Sequence, residues 1–128
     1  TTYTLTLRDD IYWSDGEKIT TDDIVFTLDT LTVPEVAPST AAAYKVDGEF
    51  CTYEKQSDTV IVFKVGRASN LFKKALGALY VLPAHCFEGV PATEVLTCEQ
   101  NANIATSGAF VVDSFSVGEK LVCLKNPN

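Results

Sequence analysis

Long apolar runs are missing: no stretch approaches the roughly 20 consecutive apolar residues that a membrane-spanning helix requires. Nor is there a basic segment followed by an apolar one near the start, the mark of an uncleaved secretory signal. Positive charge is scarce and scattered, with ten Lys and Arg against seventeen Asp and Glu and a formal net charge of -7. Such a field repels phosphate backbones, so nucleic acid is not an expected partner. Histidine occurs once, as His85, and the four cysteines contain no Cys-x-x-Cys pair. A structural zinc site draws two ligands from one turn; that pattern is absent, and neither a metal nor another cofactor is expected. The seven glycines stand singly, so no glycine-rich phosphate cradle is present. Repeats and low-complexity segments are missing too.

What remains is the make-up of a globular domain. With 128 residues, 46% of them hydrophobic, the chain has the length of one domain with its own core. Cys51, Cys86, Cys98 and Cys123 admit two readings. In an exported protein they form one or two disulfides; otherwise they are small buried hydrophobes. Residue patterns alone leave both open.

The opening Thr-Tyr-Thr-Leu-Thr-Leu-Arg alternates strictly, placing Tyr3, Leu5 and Leu7 on one face of a half-buried strand. Ile24, Val25, Leu28 and Leu31 recur at helical spacing behind Thr20 or Thr21, with Asp22 and Asp23 in the first turn. A helix over 21–32 is expected, closed by Pro34. Residues 33–48 read as an irregular connection with one helical turn at 40–44. Strands follow over 50–56 and 59–65, the second apolar on both faces and therefore central. Ser69 or Asn70 caps a helix carrying Leu71, Phe72, Ala75, Leu76 and Leu79 as one stripe. Short helical turns are expected near 85–87 and 93–100, then a β-hairpin of 108–115 and 121–125 around Gly118. Antiparallel strand pairs with inserted helices define an α+β class: a four- to five-stranded, mainly antiparallel sheet with helices on one face. A strand at the first residue and an abrupt Asn126-Pro-Asn end suggest a piece of something larger.

Six carboxylates and the only tryptophan crowd into residues 8–24. They do not make a calcium loop, because Ile11, Tyr12 and Trp13 stand where ligands belong and Glu17 follows Gly16 at once. Adjacent acids point apart, so Asp9 with Asp10, and Asp22 with Asp23, are poor catalytic dyads. Turn chemistry accounts for Asp15-Gly16, and the helix dipole for Asp22 and Asp23. Trp13 is expected to pin its turn to the core. His85 beside Cys86 lacks the third group that orients a nucleophile and its base, so no catalytic residue is assigned.

The order of these residues says more than their chemistry. The 26 residues from Tyr3 to Leu28 run from a strand ending in Leu7-Arg8 through Trp13-Ser-Asp-Gly to a helix opening Thr20-x-x-Asp23 and continuing Val25-Phe26. This order resembles the signature of bacterial extracellular solute-binding proteins of family 5, the oligopeptide, dipeptide and nickel type. Further blocks are similar to that family in the same order: Asp58 to Val65, Leu82-Pro-Ala-His85, Ser107-Gly-Ala-Phe110 and Leu124-Lys-Asn-Pro-Asn128. The resemblance implies a non-enzymatic subdomain inserted in the first lobe of a two-lobed periplasmic-binding-protein-like fold. It also implies partners: the remaining lobes, a captured peptide or other small solute, and the membrane subunits of an ABC transporter. The implied location is extracytoplasmic, periplasmic or lipid-anchored. Only the loop over 34–44 would approach ligand, with Ser39 and Thr40 at the cleft rim. Four cysteines depart from the family's pattern, so no pairing is carried over. A stand-alone extracellular interaction or adhesion module is the alternative, and a thiol or metal enzyme built on His85 and the cysteines a more distant one.

Overall fold

A computed structural model describes the backbone of residues 1–128 and the side chains of all but residues 38 and 103. Strand β1 (Thr2–Thr6) turns its threonines outward and sets Tyr3 and Leu5 inward, as the alternation requires. It pairs antiparallel with β5 (Val60–Lys64), which pairs antiparallel on its other side with β4 (Thr52–Lys55). β5 is thus central, and Ile61 and Phe63, on one of its faces, are fully buried.

Two helices cover that face. In α1 (Thr21–Leu31), Thr20 and Asp23 form a reciprocal capping box that satisfies two otherwise orphaned backbone N–H groups. In α3 (Asn70–Gly77), the Ser69 hydroxyl accepts from the Phe72 N–H at 3.2 Å. Ile24 and Leu28 of α1 and Phe72 of α3 join Tyr44, Val46, Cys51, Ile61, Phe63 and Val65 in one core cluster. Tyr53 of β4 donates its hydroxyl to Asp29, tying the sheet edge to α1.

The α+β class holds, but the single four- to five-stranded sheet does not. The strands divide into the three-stranded sheet and two separate hairpins, β2 (Lys45–Val46) with β3 (Glu49–Phe50) and β6 (Phe110–Ser116) with β7 (Lys120–Lys125). The strand expected over 50–56 breaks at Cys51, whose N–H donates to the Tyr44 carbonyl at 3.0 Å. Asp47 and Gly48 both have positive φ, 56° and 88°, the geometry of a tight hairpin turn, and this folds Phe50 back onto Lys45. Alternation fixes which face a residue takes; it does not fix which strand lies beside it.

The helical turn expected at 40–44 is α2 (Pro38–Ala42). Short 3-10 helices cover Ala84–Phe87 and Glu99–Asn103, with plain turns over 92–97 where a helical turn is expected. Among the described residues, no helix is long and apolar enough to cross a membrane.

Candidate functional site

The acidic stretch folds into a turn and a helix start, and each acid faces a different neighbour. The Trp13 N–H donates to the Glu17 carbonyl at 2.7 Å, and the Gly16 N–H to the Trp13 carbonyl at 3.0 Å. Gly16 has φ of +94°, which favours glycine. Asp15 Oδ1 accepts from the Glu17 N–H at 3.2 Å, the local bond that suits aspartate to turns. Asp10 pairs with Arg8 at 2.6 Å, and this bond holds its carboxyl below the ordinary value. Asp22 reaches outward to Lys55 at 2.6 Å, where Asp58 also binds at 2.9 Å. Adjacent Asp23 points inward. The two acids do not share a site.

Asp23 is buried and accepts from three segments. Its Oδ2 takes the Thr20 N–H at 3.0 Å and the Trp13 indole Nε1–H at 3.3 Å, and its Oδ1 takes the Ala84 N–H at 2.9 Å. One turn further along, the Thr27 hydroxyl donates to the Asp23 carbonyl at 2.6 Å and accepts from the Leu82 N–H at 2.8 Å. Trp13 is only 3% exposed and packs with Ile19 and Ala105. As expected from sequence, Trp13 pins its turn to the core.

One constellation escapes the sequence. Asp15 and His85, 70 residues apart, bring Oδ2 and Nε2 to 2.7 Å, and Cys86 Sγ lies 3.5 Å from the same nitrogen. The His85 contact is the main reason the Asp15 carboxyl sits below its ordinary 3.8. Adjacency of His85 and Cys86 was legible; the third member was not, because nothing local links Asp15 to them. Asp15 and Cys86 border a cavity of about 600 Å³ between the body of the domain and the β6–β7 hairpin. Ser14, Asn101 and Thr106 supply polar atoms to that cavity, and Val111 and Phe115 form its apolar wall.

Ser39 and Thr40 are exposed on α2. Thr40 borders a second, apolar cavity of about 310 Å³ shared with Thr27, Leu31, Tyr44 and Leu79; Ser39 stands outside its lining. The four cysteines are free thiols: Cys51 is buried, Cys86 and Cys98 are half-buried, and Cys123 is exposed. Burial pushes the Cys51 thiol above its ordinary value, as expected of an inert core cysteine.

Residues 1–128 match the family model described as bacterial extracellular solute-binding proteins, family 5 Middle. A probable ABC transporter-binding protein of Deinococcus radiodurans is 26% identical over 137 aligned positions, covering 98% of this chain and 23% of that protein. The crystal structure of a peptide-binding protein AppA of Clostridium difficile superposes with a TM-score of 0.88 at 28% identity, over 98% of this chain and 26% of that one. Bacillus subtilis AppA, an oligopeptide-binding protein solved with a nonapeptide, shares the fold at 24% identity and a TM-score of 0.82, over 98% of this chain and 24% of its own. The chain therefore spans about a quarter of the length of these relatives. With its whole length matched, the chain belongs to the bacterial extracellular solute-binding proteins of family 5, a family of binding proteins and not of enzymes.

Proposed function

We propose that this chain is the inserted subdomain of the first lobe of a longer, two-lobed solute-binding protein, and that it acts chiefly as a scaffold. The lobes capture a peptide or similar small solute outside the cytoplasmic membrane, in the periplasm or at a lipid anchor, and pass it to ABC transporter membrane subunits. One observation carries the scaffold reading. The β6–β7 hairpin leaves Phe110, Val112, Phe115, Leu121 and Leu124 more than half exposed, with Val117 at its tip 86% exposed. By the register, Phe110, Val112, Phe115 and Leu121 share one face of the hairpin and Leu124 lies on the other. Exposed apolar surface of this kind marks a contact face, and the remaining lobes are its proposed cover. Ser39 and Thr40, exposed on α2, are proposed as the only part of this subdomain to reach the cleft rim.

The same uncovered face suits the alternative, a stand-alone extracellular interaction module. The reading frame that encodes these residues separates the two. Two further lobes and an export signal in that frame are the expected result; a frame that holds this domain alone would overturn the transport reading.

A further inference from the structure

We propose that Asp15, His85 and Cys86 bind one borderline-soft divalent cation of the zinc class, with a fourth coordination position open toward the adjacent cavity. The proposal stands apart from the scaffold role and rests on the arrangement of three side chains. Asp15 Oδ2 and Cys86 Sγ approach the same atom, His85 Nε2, at 2.7 and 3.5 Å, and the three ligand atoms lie within 4.8 Å of one another. An imidazole nitrogen carries one proton or one lone pair, directed along one line. It cannot bond fully to both neighbours, whereas a cation among the three satisfies all of them.

Tetrahedral zinc, with bonds of about 2.0 Å to nitrogen and oxygen and about 2.3 Å to sulfur, sets neighbouring ligand atoms roughly 3.3–3.5 Å apart. The His85–Cys86 edge, at 3.5 Å, already has that length; the His85–Asp15 edge, at 2.7 Å, must open by about 0.6 Å, and the Asp15–Cys86 edge, within 4.8 Å, must settle to it. Carboxylate, imidazole and thiolate together suit zinc better than magnesium or calcium, which take oxygen ligands.

The supporting shell is in place. The Glu17 N–H holds Asp15 Oδ1 at 3.2 Å and so leaves Oδ2 to face the histidine. The Ala84–Phe87 turn is fixed by the Ala84 N–H on Asp23 and by the Cys86 N–H on the Pro83 carbonyl at 3.0 Å. The Asp15 and His85 side chains are 41% and 36% exposed, so a cation can enter from solvent. Binding converts the Cys86 thiol to thiolate and releases its proton to solvent, while His85 carries its remaining proton on Nδ1. Two anionic ligands then balance the dication. Three protein ligands leave one position free, which the cavity bordered by Asp15 and Cys86 can supply with water or a small ligand.

The test is a titration of the reduced, metal-free 128-residue chain with zinc chloride by calorimetry and with cobalt chloride by absorption, circular dichroism confirming that each variant is folded. The expected result is one equivalent of zinc and, with cobalt, a thiolate-to-metal charge-transfer band. Cys86→Ser and His85→Ala should abolish the band and weaken zinc binding more than tenfold, the least that loss of even an outer-shell partner costs at metal sites. Asp15→Asn, a change at an exposed position, should weaken zinc binding in the same direction, and Cys98→Ser and Cys123→Ser should leave both readouts unchanged. Absence of stoichiometric zinc binding, or a band and affinity that survive Cys86→Ser or move with Cys98 or Cys123, would overturn the proposal.

Discussion

Asp23 accepts from the backbone of its own helix cap, from the Trp13 indole and from the backbone of Ala84, three donors that come from separate parts of the chain. Removing the carboxylate would strand those donors in a buried place, and each unsatisfied buried group costs about 1–3 kcal/mol. Asp23→Ala should therefore lower the unfolding free energy by about 3 kcal/mol or more, read as a shifted urea midpoint with an unchanged slope. Trp13→Ala removes the indole that packs on Ile19 and Ala105 and should cost about 3–5 kcal/mol, as other large aromatic truncations do; an unshifted midpoint would refute its role as a pin. Asp15 behaves differently because it is partly exposed. Its folded-state carboxyl lies below its unfolded value of 3.8, so its contribution is present above 3.8 and is lost as pH falls through the lower folded value. In chelator-treated buffer, the melting-temperature difference between the parent and Asp15→Asn should shrink as pH falls below 3.8. A difference that grew on acidification would contradict the assignment.

The first half of the chain was largely legible because its signals are local. The strict alternation of Tyr3, Leu5 and Leu7, the Thr20 cap ahead of Ile24 and Leu28, and the two-sided apolar run at Val60–Lys64 each settle an element within a few residues. Pairing beyond neighbours was not legible. The break at Cys51 depends on a bond to Tyr44, and the separation of β6–β7 from the main sheet depends on packing that alternation does not encode. Of the candidate site residues, the placement of Trp13 could be read from its flanking apolar neighbours, while the Asp15–His85–Cys86 cluster exists only because the Trp13 turn and the Ala84–Phe87 turn are both fastened to Asp23. The two kinds of sheet should differ in stability. β5 buries Ile61 and Phe63 completely, whereas the β6–β7 hairpin buries none of its strand residues, and isolated two-stranded hairpins are marginal in water. Amides of β6 and β7 should exchange hydrogen at least roughly tenfold faster than those of β5 when the chain is studied alone, by exchange followed with mass spectrometry or NMR. Equal protection would show that the hairpin is held by more than its own pairing.

Taken as one molecule, the chain is a core of sheet and two helices with an apolar hairpin extending from it, and it spans about a quarter of the proteins it resembles. The proposed scaffold has a firm interior and an uncovered apolar hairpin, which partly walls the cavity bordered by Asp15 and Cys86. Under the proposed scaffold role, ligand capture would fall to the other lobes of a longer protein. Calorimetry with a mixture of oligopeptides, run in parallel on this 128-residue chain and on the longer protein proposed to carry it, bears on that division of labour directly. Binding heat should appear with the longer protein and be absent with the chain alone; micromolar peptide binding by the chain alone would contradict the scaffold role.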